Sequence, residues 1–263
     1  QGASCGAYSL TVVPRLWFLG RTWDCRFYQQ VSVPDGVMQV LARFGMSYEN
    51  RLTLDYPPQD YIVQFNESYL HFLQRILYDS GIFYFFVHDE SGHRLVLADA
   101  NTAFLTIAPH TFVLDQANPG FGVLQDWDRA DTTVAGQVST ADYNPTTNTA
   151  AVGTLHASEN TLLNATGAES RVQYAWPATR DTRAGLSELA KIRMQAAEAT
   201  AELYDGQGQT PAFFAGGRFL LKNDPFCQQG QTEYIVRSLS YTASGTYGQN
   251  SGSVSIHFDA FRT

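Results

Sequence analysis

Two histidines, His88 and His93, stand next to the acidic residues Asp89 and Glu90 in a short stretch that could bind a metal ion. A metal site needs three or four ligands that converge on the ion at distances of about 2 Å. Ligands within one tight turn rarely converge in this way, and no Cys/His pair elsewhere in the sequence completes the set. We therefore expect a solvated hairpin turn without a metal ion.

Paired carboxylates are the next candidate for chemistry. Asp126 and Asp128 flank Trp127, and on a strand the two acids would share one face, as glycoside hydrolysis by two carboxylates could use. Exposed acids beside a half-buried aromatic residue are nevertheless common in structural strands. Glu67 and His71 lie four residues apart and favour a helical ion pair or a cap, since the zinc motif HExxH is absent. A cell-wall glycan hydrolase is the less favoured alternative.

Other catalytic motifs are missing from the sequence. There is no G-x-S-x-G nucleophile elbow, and the glycines at 206–208 and 216–217, which lack a following Gly-Lys-Ser/Thr, are interpreted as turns. Cys5, Cys25 and Cys227 are odd in number and widely spaced, which indicates reduced thiols, and a Cys5–Cys25 bridge has no support in the sequence. We predict no catalytic residue, no cofactor and no metal.

The composition indicates a protein with a large core and extensive contacts. Of the 263 residues, 44% are hydrophobic and 13% aromatic, which is ample for one large or two modest domains. Only 16% are charged, and surfaces that are poor in charge often lie against partners. The net charge of -8 argues against nucleic acid and anionic membranes as partners, and no apolar stretch approaches the length of a membrane span.

The stretch from Asn66 to Asp99 predicts a helix, a buried strand, a turn and a returning strand, around which the rest packs. Asn66 or Ser68 can cap the helix, and Gly81 can end it because glycine adopts the left-handed conformation without steric cost. The run 82–87 is apolar at every position, which predicts a strand covered on both faces. One helix face is apolar at i, i+3, i+4, i+7 and i+8: Tyr69, Phe72, Leu73, Ile76 and Leu77.

Further elements are predicted on both sides of this unit. Before it, the pattern predicts strands at 8–13, 16–19, 21–29 and 52–55 and a helix at 32–45, and residues 61–65 lead into the central unit. After it, the pattern predicts β-type runs at 104–114, 122–127 and 132–138, loops at 139–153 and 162–170, a helix at about 181–203 that ends at Gly206, and strands at 219–222, 233–241 and 253–261. The last strand should bury its alternate residues Val254, Ile256, Phe258 and Ala260. The fold class is therefore α+β and rich in β structure.

The central stretch resembles the hallmark block of the VgrG family, the spike proteins of bacterial type VI secretion. Looser similarity extends over 16–34, 142–145, 185–196, 217–219 and 233–236, so that it covers nearly the whole chain. We assign the hallmark positions as structural residues of the family: Tyr56, Pro57, Pro58, Gln64, Glu67, Phe72, Arg75, Gly81, Tyr84, Phe85, Phe86, His88, Gly92, His93 and Asp99.

The resemblance implies a phage tail hub-like fold with two tube-forming β-barrel-like domains and α/β elaborations. On this basis, residues 1–31 are part of a first barrel that lacks its opening strands, and 32–115 form an α/β elaboration with helices near 34–44 and 67–80. Residues 116–263 form the second barrel, with a helix near 182–203. We expect a fragment, because family members continue into an oligonucleotide-fold domain and a β-helical needle.

The function implied by the resemblance is structural, without enzyme activity. Three chains would form a homotrimeric ring that caps the hexameric tube protein (Hcp), contacts baseplate components and carries the puncturing needle. Effectors or a needle-tip protein would be carried by regions outside this sequence. The assembly would form in the bacterial cytoplasm and then be secreted into the medium or a target cell. The alternative is the hub of a prophage tail or tailocin baseplate.

Overall fold

The computed structural model describes residues 12–90, 92–143, 154–161, 167, 170–178, 180, 182–227, 231–245 and 252–263. The chain divides into two compact units, Gln1–Leu97 and Ala98–Thr263, which we call unit 1 and unit 2. In this described part of the chain, no helix is long and apolar enough to cross a membrane.

Unit 1 contains two small sheets packed with two helices. Strands β1 and β3 form a two-stranded sheet, which we call the ribbon, and a second sheet has the strand order β2-β5-β4. In chain order, the elements are a 3-10 helix at Arg15–Arg21, β1 at Trp23–Val31, α1 at Val33–Arg43, β2 at Tyr48–Arg51, β3 at Gln59–Ser68, α2 at Tyr69–Tyr78, β4 at Phe83–Asp89 and β5 at Gly92–Ala98.

Helix α2 begins and ends as the sequence predicts. Ser68 is its N-cap, and the Ser68 hydroxyl accepts a hydrogen bond of 3.2 Å from the backbone N–H of His71. Gly81 has a φ of +69°, and just beyond it the N–H of Ile82 returns to the carbonyl of Leu77 at 2.9 Å. The predicted apolar face is buried: Tyr69, Phe72, Leu73, Ile76 and Leu77.

Helix α1 packs into the same core as α2. Ser32 caps it by accepting a hydrogen bond of 3.2 Å from the N–H of Asp35, and Pro34 lies in the first turn. This core of unit 1 combines both helices with residues of the 3-10 helix, β3 and β5. Its fully or nearly buried members outside α2 are Leu16, Leu19, Val33, Val37, Val40, Leu41, Ile62, Ile82, Leu95 and Leu97.

Several predictions for unit 1 are wrong. The strand predicted at 16–19 is a 3-10 helix, because the buried residues Leu16 and Leu19 are three apart and a 3-10 helix has three residues per turn. The strand predicted at 52–55 lies earlier, in β2. The strand predicted to be covered on both faces is β4, which is largely half-buried because it lies at the end of the order β2-β5-β4. Residues 8–11 of the strand predicted at 8–13 lie outside the described residues, and 12–13 are not in a strand.

Unit 2 is organised around a closed barrel with the strand order β11-β14-β13-β12-β6-β7. Strand β6 pairs in parallel with both β12 and β7, and the other pairs are antiparallel. The elements are a 3-10 helix at Asn101–Ala103, β6 at Leu105–Leu114, β7 at Val123–Asp131, β8 at Gln137–Tyr143, β9 at Thr154–Asn160, β10 at Val172–Ala175, α3 at Arg183–Glu198, β11 at Glu202–Gly208, β12 at Gly217–Lys222, β13 at Gln231–Gly245 and β14 at Gly252–Arg262.

Aromatic rings fill the interior of this barrel. Trp127 stacks on Tyr204 with ring centroids 5.3 Å apart and meets the edge of Tyr234 at 4.9 Å. Phe213 stacks on Phe258 at 4.5 Å, and Phe219 packs against both groups. In β14 the predicted inward residues Ile256, Phe258 and Ala260 are buried, and Val254 is half-buried. Because the side chains pack ring against ring, the barrel is a solid core.

Outside the barrel, helix α3 covers a three-stranded sheet with the order β10-β8-β9. Val138 of β8 packs against Ala190 and Met194, and the Thr140 hydroxyl donates a hydrogen bond of 3.0 Å to the carbonyl of Leu186. The Thr182 hydroxyl caps the helix by accepting a bond of 3.1 Å from the N–H of Gly185.

The predicted boundaries near these elements need correction. Residues 139–143, predicted as part of a loop, belong to β8, and the rest of that loop lies outside the described residues, as does most of the loop predicted at 162–170. Of the strand predicted at 132–138, only residues 137–138 are in a strand. The last helix ends at Glu198 rather than near 203, because the chain then enters β11.

The sequence predicted that Gly206 ends the helix and lies in a turn, and both predictions are wrong. Gly206 is a residue of β11, in the wall of the barrel. A Cβ atom at this position would lie 2.5 Å from Cζ of Phe258 on the neighbouring strand β14. The absence of a side chain therefore makes room for the Phe258 ring. Gly216, with a φ of +79°, does lie in a turn, whereas Gly217 begins β12.

The division of the chain lies earlier than the predicted boundary near 115. Strand β6, which the sequence analysis assigned to the middle segment, is part of the barrel through its parallel pairing with β12. These two strands are about a hundred residues apart in the sequence, and a pairing over such a distance leaves no local signal.

We expect Gly206→Ala to destabilise unit 2 by about 1–3 kcal/mol, because the added methyl group would overpack the barrel against Phe258. Urea unfolding measures the change. Gly120→Ala is the matched control, since a Cβ atom there has nothing within 4 Å. Equal unfolding midpoints for the two variants would contradict the proposed role of Gly206.

Candidate interaction surface

The predicted hallmark residues lie in unit 1, except Asp99, which lies at the start of unit 2, directly after Ala98. Four of their side chains are buried, Gln64, Glu67, Phe72 and Phe85, and the last of these comes from the edge strand β4. The remaining positions are half-buried or exposed. The structure thus brings together one part of the block, the junction of β3 with α2, and leaves the histidine turn at the surface.

A β-bulge at this junction changes which side chains of β3 face the core. The pairing of β1 with β3 shifts between Asp24 and Arg26, and Asn66 takes a positive φ of 46°. The Asn66 N–H donates to the sulfur of Cys25 at 3.3 Å, which accommodates the extra residue. Before the bulge, Ile62 and Gln64 are buried; after it, Glu67 and Ser68 are buried.

Glu67 is the centre of a group of charges that the bulge turns inward. Arg75 donates two hydrogen bonds to its carboxylate, at 2.5 and 3.3 Å, and His71 Nδ1 lies 2.7 Å from the same carboxylate. Burial acts to raise the pKa of Glu67, but the bonds and charge of Arg75, with a smaller effect from His71, outweigh it and hold the pKa below its usual value. The predicted contact of Glu67 with His71 is present, but Glu67 lies in strand β3 and not in helix α2, which begins at Tyr69.

Two further contacts fix the ribbon to helix α2. Arg75 also donates to the backbone carbonyl of Val63 at 2.7 Å. The Tyr69 hydroxyl donates to Asp24 of β1 at 2.6 Å. Both strands of the ribbon are therefore tied to one helix.

Asp24 is held strongly in its ionised form by these contacts. The Tyr69 hydroxyl is the largest cause, and Arg26, whose Nε lies 2.5 Å from the carboxylate, is the next; together they lower the pKa of Asp24 to about 2. The inward face of the ribbon thus carries polar groups that are paired with one another and with α2.

The outward face of the ribbon is apolar and exposed, and we call it the ribbon face. Its large side chains are between 49% and 77% exposed: Trp23, Phe27, Tyr61, Val63 and Phe65. Phe27 and Val63 are direct partners across the two strands, as are Gln29 and Tyr61. On β1, the exposed Cys25 lies between Trp23 and Phe27, and the exposed Gln29 follows Phe27 on the same face; neither carries a fixed charge.

The histidine turn is held by local contacts. The backbone N–H of Arg15 donates to Nε2 of His93 at 3.1 Å, the rings of His88 and His93 are 6.0 Å apart, and Asp89 lies 3.5 Å from Arg94. Among the described residues, no group of three His, Cys, Asp or Glu side chains could hold a metal ion. The expectation of a protein without a metal remains a prediction.

The two acids of unit 2 do not share a cleft with Trp127. Trp127 is 4% exposed and lies in the barrel core, whereas Asp126 and Asp128 face outward from β7. Asp128 is directly opposite Asp205, which is opposite Asp259 on the next strand. Burial first, and then these neighbouring carboxylates, raise the pKa of Asp205, although His257 opposes the shift. An aromatic platform beside the two acids, as a hydrolase would need, is not formed.

Sequence reasoning missed the ribbon face. The signal was present in the alternation of Trp23, Cys25 and Phe27 on one strand and of Tyr61, Val63 and Phe65 on the other. Period-two alternation places these residues on one face of each strand. The alternation does not tell which face of β1 points to the core. In the structure it is the face that carries Asp24 and Arg26.

Three comparisons relate the chain to known proteins. A family model described as the phage tail baseplate hub (GPD) matches residues 1–247. The chain is 32% identical over 256 residues to the type VI secretion system spike protein VgrG1c of Pseudomonas aeruginosa. This alignment covers 92% of this chain and 34% of that relative. The chain therefore spans about a third of the length of this relative.

Solved structures show the same fold at low sequence identity. A tail protein from Neisseria meningitidis MC58 superimposes with a TM-score of 0.65 at 11% identity, over 94% of this chain and 72% of that one. The E. coli c3393 protein, a component of the type VI secretion system, gives 0.59 at 16% identity, over 95% of this chain and 54% of that one. The predicted β-rich, tail hub-like fold is confirmed.

The contact between Tyr69 and Asp24 predicts a pH dependence of stability. Because the folded-state pKa of Asp24 is about 2 and its unfolded value about 3.9, its contribution is fully present above about pH 4 and is lost as the pH falls towards 2. Tyr69→Phe removes the largest cause of the shift. We expect the variant to lose less stability than the wild type between pH 4 and pH 2.

Urea unfolding at a series of pH values measures this difference. Tyr78→Phe, which removes a hydroxyl from an exposed tyrosine of the same helix, is the matched control and should keep the pH dependence of the wild type. If Tyr69→Phe also keeps it, the Tyr69 hydroxyl does not determine the pKa of Asp24.

Proposed function

The chain belongs to the phage tail baseplate hub family, and from this premise we propose that it forms the structural hub of a type VI secretion spike. In this proposal, three copies form a ring that caps a hexameric tube protein. The observation that carries the proposal is the family match over residues 1–247, which takes in most of both units. The similarity to VgrG1c over 92% of the chain favours the secretion spike within that family.

The solid barrel of unit 2 supports a role as a wall of the ring. Its interior is packed with aromatic rings and contains no charged pair that could act on a substrate, as judged from the described residues. The buried polar contact there, from the Tyr234 hydroxyl to Asp224 at 2.5 Å, joins β13 to the segment after β12. Burial, together with Asp224, raises the pKa of Tyr234, so that the phenol stays a hydrogen-bond donor. Such a barrel is a rigid building block.

The ribbon supports the presence of a second tube-forming domain in each copy. A two-stranded sheet is marginally stable in water, and barrel walls are made of more strands. We propose that β1 belongs to the first tube barrel, residues 32–97 to the α/β elaboration and residues 98–263, which include β6, to the second barrel. Two similar barrels from each of three copies would present six similar surfaces to a hexameric tube ring.

The hallmark residues are structural in this proposal. Glu67 and Arg75 join the ribbon to α2, and Gly81 ends that helix, so that the block determines the shape of unit 1. No residue is assigned a catalytic role. We propose a protein without enzyme activity, which is assembled in the bacterial cytoplasm and then secreted. Baseplate components would contact the ring, and the needle, effectors or a needle-tip protein would be joined to other parts of the spike.

A second candidate is the hub of a prophage tail or tailocin baseplate. The fold similarity to the Neisseria meningitidis tail protein, with a TM-score of 0.65, is the observation in its favour. Both candidates are trimeric hubs on a tube, and they differ in the tube protein that is bound. A glycan hydrolase is the third candidate, and the burial of Trp127 argues against it.

The proposal predicts a trimer that binds a tube ring. One chain has a mass of 29.2 kDa. At high protein concentration, light scattering should give three times this mass. The trimer should sediment with hexamers of a type VI tube protein and less with those of a phage tail tube. A protein that stays monomeric and binds neither tube would overturn the proposal, and selective binding to the phage tube would favour the second candidate.

Peptidoglycan digestion tests the hydrolase separately. We expect no activity from the wild type or from the double variant Asp126→Asn, Asp128→Asn. Activity that disappears in the double variant would contradict the structural role, since these outward-facing acids have no other assigned function.

A further inference from the structure

We infer that the ribbon face of one copy is covered, in the assembled protein, by a second copy of this chain. The inference rests on the proposed trimer and adds the surface through which the copies meet. The ribbon face consists of Trp23, Phe27, Tyr61, Val63 and Phe65, on the two strands of the ribbon.

The size of the face is that of one side of a protein interface. A large aromatic side chain has roughly 150–250 Å² of surface, and these side chains are half to three-quarters exposed, so the face offers about 500–650 Å². The largest apolar patch on a typical monomer is about 300–600 Å², and each partner in a standard interface contributes about 800 Å². The ribbon face alone would supply most of one such side.

Helix α2 fixes the two strands of the ribbon from the side opposite the ribbon face. Tyr69 fixes β1 through Asp24, and Arg75 fixes β3 through the Val63 carbonyl, which lies directly beneath the exposed face. Because the strands are already fixed, little conformational entropy is lost when a partner covers the face. Among the residues that the structure describes, β1 and β3 pair in a sheet only with each other.

The chemistry of the face favours another copy of the chain over a foreign partner. Copies of a chain with a net charge of -8 repel one another over most of their surface, but not where the surface carries no charge. Every large side chain of the ribbon face is uncharged, and the other exposed residues of this face on β1 are Cys25 and Gln29. Depletion of charge with enrichment of aromatic residues is typical of permanent interfaces between copies, whereas transient partners are steered by charge.

The thiol of Cys25 provides a probe in the middle of the ribbon face. Cys25 is exposed, and substitution of Cys5 and Cys227 by serine leaves it as the single thiol of the chain. We would measure the rate of maleimide labelling of Cys25 over a series of protein concentrations, with light scattering on the same samples. We expect the labelling rate to fall at least tenfold over the range in which trimers form.

Each result supports or overturns the inference. Labelling that stays fast in the trimer would overturn the inference while leaving the proposed ring intact. Slow labelling at every concentration, monomer included, would show that another part of the same chain covers the face and would also overturn it. Fast labelling of a protein that never assembles would overturn both the inference and the proposed function.

Substitution on the face tests its contribution directly. Phe27→Glu and Val63→Glu place charges at directly opposed positions, and we expect the double variant to need at least a tenfold higher concentration to assemble. Phe121→Glu is the matched control, since Phe121 is 71% exposed but lies in a turn of unit 2. Thermal unfolding confirms that both variants fold. Assembly of the double variant at the concentration of the control would overturn the inference.

Discussion

The backbone conformation of Asn66 determines how unit 1 is built. Its positive φ creates a bulge, and the bulge reverses the alternation of β3, so that Glu67 faces the core two residues after Phe65 faces outward. Once Glu67 is inside, its charge must be paired, and Arg75 on the next helix pairs it while also binding the Val63 carbonyl. The bulge therefore couples the buried charges to the exposed aromatic residues: the same strand supplies both, on opposite faces.

The two units bury their apolar residues in different ways. Unit 1 packs two capped helices against short sheets and leaves a large apolar face in water. Unit 2 closes its sheet into a barrel, which removes open edges, and fills it with stacked rings. Close packing in the barrel depends on the absence of a side chain at Gly206, because the ring of Phe258 occupies that volume. A closed barrel is suited to a wall, and an open ribbon is suited to a contact that is completed on assembly.

Among the described residues, the ionisable groups named above lie on the surface of the barrel or join elements of the fold. The acids Asp128, Asp205 and Asp259 are lined up across three barrel strands, but they face outward, apart from the aromatic core. The buried ionisable groups, Glu67 in unit 1 and Asp224 in unit 2, are used to join elements. A hub must hold its shape under load and present broad faces to its neighbours, and both features follow from these contacts.

The sequence by itself determined helix α2, its cap, its end and its buried stripe, because these depend on residues within a few positions of one another: Ser68 and Gly81 acted as predicted. It also indicated the family, through the block from Tyr56 to Asp99, and a family model matches residues 1–247. Tertiary structure alone decided the rest. The parallel pairing of β6 with β12, the place of Gly206 opposite Phe258 and the outward direction of the ribbon face all depend on residues far apart in the chain. Local patterns carry no information on which distant strand will lie alongside, or on which face of a strand will be left for a partner.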